Sequence, residues 1–209
     1  IFYDSPRSGA IRRCEIRGNS TTGAGGGLAA SSVFVGTLDV VDTVFYGNLS
    51  GGSSDAIENL AGILNLTNCT ISGHNLSGNH DAVLNQVDSA SRINIKHSTI
   101  TNNSRGIESF SVGNSITLEN SIVAGNGAGS DIYGGTIDSL GHNLIGRGYG
   151  VTSFTPQPSD QVGTAVTAID PRLDPLGDYG GPTLTHRLRA SSTAVDAGAC
   201  GTIFTDQRG

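Results

Sequence analysis

Tryptophan and methionine are absent from this chain, aromatics make up only 5% of it, and there are three cysteines. Each shortage removes a class of protein. Polysaccharide grooves usually present stacking aromatics, and here five Tyr and six Phe must serve. Only Tyr46 and Tyr133 fall at outward positions of the repeat body described below, so a carbohydrate-cleaving enzyme and a lectin both have little support. An odd cysteine count does not describe a disulfide framework. Basic residues are scarce too: 12 Lys and Arg against 18 Asp and Glu give a net charge of −6. No concentrated basic surface exists to hold nucleic acid or an anionic membrane. No run reaches the roughly 18 apolar residues of a membrane-spanning helix. The N-terminus lacks the basic-then-apolar order of a signal peptide. The missing initiator Met leads us to expect a mature or excised portion of something longer.

What the chain has is repetition. In Ile93 to Asn103 an apolar residue alternates with any residue and a second apolar one. Three mostly polar residues, a variable one, another apolar residue, two small or polar residues and Asn follow. Leu38 to Asn48, Leu64 to His74 and Ile116 to Asn126 fit the pattern, and Gly9 to Asn19 fits apart from its first position. The copies end at Asn19, Asn48, His74, Asn103 and Asn126, which are 29, 26, 29 and 23 residues apart. A second phase, Leu28, Ile57, Val83, Ile107 and Ile132, advances with the first. Two phases moving together at about 25 residues indicate a solenoid coil.

Apolar residues at alternate positions (Leu38 and Val40, Leu64 and Leu66, Ile93 and Ile95, Ile116 and Leu118) have strand period. Gly, Asn, Ser and Asp between them are turn formers. No helix-period run of useful length occurs, and a leucine-rich repeat would need more leucines per unit. The expected fold is therefore all-β: a right-handed parallel β-helix of about 5–7 coils over residues 1–146. A loop-rich C-terminal segment, 147–209, should pack on or cap it within one continuous domain. Three inward columns are expected. Ile11, Val40, Leu66, Ile95 and Leu118 form the first, and Ile16, Phe45, Ile71, Ile100 and Val123 the second. The second-phase residues form the third. Asn19, Asn48, Asn103 and Asn126 should make a corner ladder of amides, interrupted at His74, with Asn75 as a possible substitute after a one-residue shift. Cys14 and Cys69 share a small-residue column with Thr43, Ser98 and Ser121. Two layers of about 4.8 Å separate them, which exceeds the roughly 7 Å limit for a disulfide. Cys200 has no assignment.

Segments such as Leu64 to Gly73 and Asn120 to Asn126 resemble repeats of bacterial right-handed parallel β-helix proteins of the polymorphic outer-membrane-protein type. The pieces Ser139 to Gly146, Asp160 to Gly163, Asp170 to Leu173, Gly180 to His186, Ala194 to Gly198 and Thr205 to Gly209 resemble the module that follows such repeats in choice-of-anchor Q proteins. The resemblance implies a bacterial, extracellular or cell-surface, adhesin-like protein, and it carries no catalytic motif. Such modules usually continue past the Asp-Gln-Arg-Gly element, in line with a fragment. The N-terminal sequence enters coil almost directly, without an amphipathic capping helix. Exposed strand edges template association, so a preceding segment or another subunit should cover that end, and filament formation is one outcome.

Candidate site residues flank the third column. Asp55, Asp81 and Arg105 lie two positions before it, and Glu58 and Glu108 one position after it, on a face expected to be exposed. Asp55 and Asp81 on adjacent layers, about 5 Å apart, could bind calcium or act as the two carboxyls of a retaining glycosidase. With Arg105 as base and a cation to neutralise substrate, the set suits a polysaccharide lyase. The plainer alternative is an ion-paired ladder at a turn. The histidines show no metal-ligand spacing. His186, with Asp196 and Asp206, is expected to pin the C-terminal segment to the stack. Lys96 and His97 read as surface decoration. No Gly-x-Ser-x-Gly elbow occurs, and the Gly23 to Gly27 run lacks the Lys-Ser/Thr of a phosphate loop. Sequons from Asn19 to Asn102 follow from composition. The adopted reading is a non-enzymatic scaffold that associates with itself or with a surface glycan. The competing reading is a polysaccharide lyase or glycoside hydrolase.

Overall fold

The computed structural model describes all residues except 76–77, 87–90, 111–112, 114, 128, 150 and 200–204, and describes only the backbone of 151–153. Cys200 lies outside the described residues. The chain is all-β, with parallel strands stacked as a β-solenoid, as its alternation and turn chemistry predict.

Each coil crosses three faces. Face one is built from Phe2–Tyr3, Leu28–Ala30, Ser54–Asn59, Asp81–Asn85 and Arg105–Ser109. Face two consists of Gly9–Arg12, Thr37–Val41, Ile63–Thr67, Arg92–Lys96 and Ser115–Glu119. The long strand Ile132–Ser139 bends from face one into face two: its first half pairs with Arg105–Ser109 and its second half with Ser115–Glu119. Face three is a seven-stranded sheet running from Glu15–Arg17 to Gln161–Val162. Val151–Ser153 extends face one beyond the long strand.

The three expected columns are in register throughout. Ile11, Val40, Leu66, Ile95 and Leu118 are successive partners on face two. Ile16, Phe45, Ile71, Ile100, Val123 and Ile145 are partners on face three. Leu28, Ile57, Val83, Ile107 and Ile132 are partners on face one. All but Ile11 belong to one buried core, each large side chain contributing roughly 1.5–3 kcal/mol through its removal from water. Phe34, fully buried, closes a corner by meeting Tyr3 edge-on at 5.3 Å between ring centroids.

The corner between faces two and three turns in two residues. The first has positive φ in every coil: Arg13 54°, Asp42 50°, Asn68 51°, His97 48°, Asn120 49° and His142 59°. The second is Cys14, Thr43, Cys69, Ser98, Ser121 or Asn143. Thr43 Oγ1, Ser98 Oγ and Ser121 Oγ each donate to the carbonyl two residues back, at 2.9, 2.7 and 2.8 Å. The same oxygens accept from the coil below, as Ser98 Oγ does from the Cys69 N–H at 3.1 Å and Ser121 Oγ from the Ser98 N–H at 3.2 Å. Cys14 and Cys69 occupy rungs of this ladder as free thiols, and burial pushes the Cys69 thiol up to about 12.

His97 is therefore more than decoration, since its backbone is held in the left-handed region. A β-branched residue pays roughly 1–2 kcal/mol there, and Gly pays no steric cost. We expect His97→Val to fall at least about 1 kcal/mol below His97→Gly in urea unfolding. Equal midpoints would show that the turn relaxes.

Lys96 does play a surface role, pairing with Glu119 at 2.7 Å on the neighbouring coil. The next corner carries the Asn ladder, and here the sequence expectation needs correcting. His74 does not interrupt the ladder but forms a rung of it. The Asn19 N–H donates to Asn48 Oδ1 at 3.1 Å, the Asn48 N–H to His74 Nδ1 at 3.1 Å, the His74 N–H to Asn103 Oδ1 at 3.2 Å and the Asn103 N–H to Asn126 Oδ1 at 3.1 Å. The side-chain donors repeat with equal regularity. Asn48 Nδ2 reaches the Ile16 carbonyl at 2.9 Å, Asn103 Nδ2 that of Ile71 at 3.1 Å and Asn126 Nδ2 that of Ile100 at 3.1 Å. His74 Nε2 meets the Phe45 carbonyl at 3.2 Å, the equivalent position. The imidazole thus presents an acceptor and a donor where the amide does, which assigns the proton to Nε2.

Past residue 170 the chain runs back along face three as a strap. Ala199 N–H donates to Asn120 Oδ1, Asn68 Nδ2 to the Thr205 carbonyl and Thr183 Oγ1 to the Asp42 carbonyl. His186 pins the strap as expected: its Nδ1 meets the Asp174 carbonyl at 2.8 Å and its Nε2 meets Ser72 Oγ at 2.9 Å. Gln207 is a second pin, linking Thr70 Oγ1 and Thr183 Oγ1 at 2.7 and 2.8 Å. Asp206 instead pairs with its neighbour Arg208, and Asp196 lies exposed at positive φ.

Candidate carboxyl cluster on face one

The five candidate residues all lie on face one or at its edge, but they do not form a single set. Register separates Asp55 from Asp81. Asp81 pairs with Ser54 and Val83 with Ile57, so a bulge gives the lower strand one extra residue, and Asp55 sits in it. The apolar columns stay aligned across the bulge, which is why counting back from them placed the two aspartates together. Asp55 turns to other partners. Its Oδ1 accepts from the Ser50 N–H at 2.8 Å, from Ser50 Oγ at 3.1 Å and from His80 Nδ1 at 3.1 Å.

Glu58 and Glu108 differ from expectation as well. They flank Leu84 in register, two coils apart. Glu58 is only 7% exposed and strand Ser54–Asn59 is buried at every position. A strand's period fixes which residues point away from the core, whereas exposure depends on what packs outside. Burial raises the Glu58 carboxyl above its ordinary value.

Asp81, Arg105 and Glu108 do come together. Asp81 and Arg105 are register partners, and the Asp81 carboxyl hydrogen-bonds that of Glu108. Burial first, then Glu108, pushes Asp81 up to about 9 against the opposing pull of Arg105. At neutral pH Asp81 therefore keeps its proton, because burial beside a second carboxyl disfavours its charged form. The Arg105 guanidinium lies 5.2 Å from the ring centroid of Tyr133, the next residue in the outward row after Glu108. A cavity of about 450 Å³ opens beside this group, lined by Gly52, Ser53, Asn79, His80, Asp81, Leu84, Arg105, Glu108 and Phe110.

Chemically, a hydrogen-bonded carboxyl pair is too close for glycoside hydrolysis. Retaining enzymes hold their carboxyls about 5–5.5 Å apart and inverting ones about 6.5–9.5 Å. Among the described residues no group of three or more His, Cys, Asp or Glu converges as a metal site.

Two further features escaped sequence reasoning. A second amide ladder stands at the corner of faces one and two, where Asn59 Nδ2 donates to Asn85 Oδ1 at 3.1 Å and Asn85 Nδ2 to the Ser115 carbonyl at 3.1 Å. Its signal was present, since both Asn residues lie two positions after the third column. A cavity of about 380 Å³ also lies between strap and solenoid, lined in part by His97, Thr185, His186, Arg187 and Arg208. It forms only when the strap folds back, which no local pattern announces. Comparison with family models, with curated proteins and with solved structures finds no match for this chain, so its function is argued from its own residues.

Proposed function

We propose that this protein is a non-enzymatic scaffold of the extracellular or bacterial cell-surface kind, adhesin-like in role, that associates with itself or with a surface glycan. The observation that carries the reading is the use of its polar side chains. Asn, His, Ser and Thr residues that could serve chemistry are bonded coil to coil, and the carboxyl pair on face one is too closely joined for hydrolysis. The repeat and C-terminal motifs that resemble polymorphic outer-membrane and choice-of-anchor Q sequences support the location, and the net charge of −6 suits a solvated surface. The test is incubation with acidic and neutral polysaccharides, with and without calcium. No new reducing ends and no unsaturated products are expected. Robust turnover abolished by Asp81→Ala would establish a lyase or hydrolase instead.

A further inference from the structure

The cavity beside Asp81 and Glu108 is built unlike the rest of the surface. Its walls combine a carboxyl pair, a guanidinium, an imidazole and an aromatic ring, Phe110, that stands 59% exposed. Asp81 is itself 2% exposed, yet its Oδ1 has no hydrogen-bond partner among the described residues. A buried acceptor left unpaired costs about 1–3 kcal/mol, and because Asp81 lines the cavity, a hydroxyl bonded to its carboxyl would offset part of that cost. The Asp55 carboxylate fixes His80 from behind, through Nδ1 at 3.1 Å. That leaves the other edge of the ring for a ligand.

Charge narrows what the donor belongs to. A metal cation would face the Arg105 guanidinium. An anion would face the oxygens of two carboxyls. A neutral polyhydroxyl ring meets neither penalty: its hydroxyls supply donors to carboxyl oxygens, and its C–H face covers an exposed aromatic side chain. A cavity of about 450 Å³ is in the range of small-molecule sites, roughly 300–1,000 Å³.

We propose that this cavity is a subsite for one ring of a neutral saccharide, which lies on Phe110 and directs its hydroxyls to Asp81, Glu108 and His80. Arg105, held over Tyr133, borders the same cavity. The inference rests on the scaffold reading and gives it a ligand class.

Titration calorimetry of the intact chain tests it with cellohexaose, laminarihexaose, mannohexaose and chitohexaose, and with hexagalacturonate as the acidic comparator. At least one neutral hexamer should bind, hexagalacturonate should bind more weakly, and Phe110→Ala should weaken the neutral complex about tenfold while Phe110→Tyr preserves it. Because Phe110 is largely exposed, its truncation should leave the far-ultraviolet dichroism unchanged. Glu108→Gln, which keeps the shape of the site, should also weaken binding. The proposal is overturned if none of the neutral hexamers binds, if Phe110→Ala binds as the parent does, or if hexagalacturonate binds best. Products released from any of these probes would overturn the scaffold reading, whereas binding without products sustains both. Neither binding nor products would remove the subsite alone.

Discussion

Replacing Asn103 by Ala should cost about 3–6 kcal/mol of stability. Asn103 is fully buried and satisfies several groups at once. Its Oδ1 accepts the His74 N–H, and its Nδ2 donates to the Ile71 carbonyl and to Asn126 Oδ1 at 2.9 Å. Alanine leaves the His74 backbone N–H unpaired in a dry corner, at about 1–3 kcal/mol, removes two donations from Nδ2 at about 0.5–1.5 kcal/mol each, and adds a cavity. Native domains are stable by only about 5–15 kcal/mol, so the variant should sit near the edge of folding. Loss should begin locally, since a coil contacts only its neighbours. Hydrogen exchange should then show the coils around residue 103 opening before the distant ones. His74 provides the informative control: if an imidazole can replace an amide in one rung, Asn103→His should retain much of what Asn103→Ala loses. A loss below about 1 kcal/mol for the alanine variant would mean that water or a neighbouring side chain takes over the rung.

How far the sequence could be read depended on which interactions are periodic. The apolar columns repeat because burial acts alike on every coil, so Val40, Leu66 and Ile95 could be aligned from spacing alone. The small-residue column of Cys14, Thr43, Cys69, Ser98 and Ser121 followed for the same reason. The departures are single events within the period. Asp55 lies in a bulge that leaves Ile57 and Val83 aligned, so the columns give no warning of it. Glu58 points outward as its parity requires, yet outer packing covers it. His74 resembled an interruption only while the ladder was read by residue name. Read by donor and acceptor position, Nδ1 and Nε2 continue it.

Some features extend beyond the repeat. Two of the three corner ladders end on carboxylates: Asp131 Oδ1 accepts from the Asn126 N–H and Nδ2 at 3.1 and 2.8 Å, and Asp160 Oδ1 accepts from the Asn143 N–H and Nδ2 at 2.9 and 3.0 Å. A carboxylate accepts without requiring an acceptor of its own, which suits it to the last rung. Neither aspartate lies at the ladder spacing, Asp131 following Asn126 by five residues. Sequence period therefore could not find them.

The His74 rung should make folding stability depend on pH in a way that His74→Asn removes. Burial lowers the His74 imidazole below its ordinary value of about 6.5, outweighing hydrogen bonds to Asn48 and Phe45 and the nearby Asp55 charge, which favour protonation. In the folded state the ring stays neutral, with Nδ1 accepting from Asn48. The unfolded chain takes up a proton once pH falls below about 6.5. Stability contributed by this group is thus complete above pH 6.5 and is lost as pH falls toward the lowered folded value, at up to about 1.4 kcal/mol per pH unit. His97 and His186 are lowered by burial too and act in the same sense. Asp81, Glu58 and Asp131 are raised by burial and act in the opposite sense, their contribution present in acid and lost as pH rises above about 4. The parent's own profile therefore mixes opposing slopes, and the difference between parent and His74→Asn isolates one residue. From pH 8 to pH 5 the parent should lose about 1–2 kcal/mol more than the variant in urea unfolding. Asn carries the same acceptor and donor without a titrating group, so the variant should fold at both pH values. Superimposable profiles would mean that His74 charges as easily in the ladder as in the unfolded chain, and that the Nε2–H form is not what holds the rung.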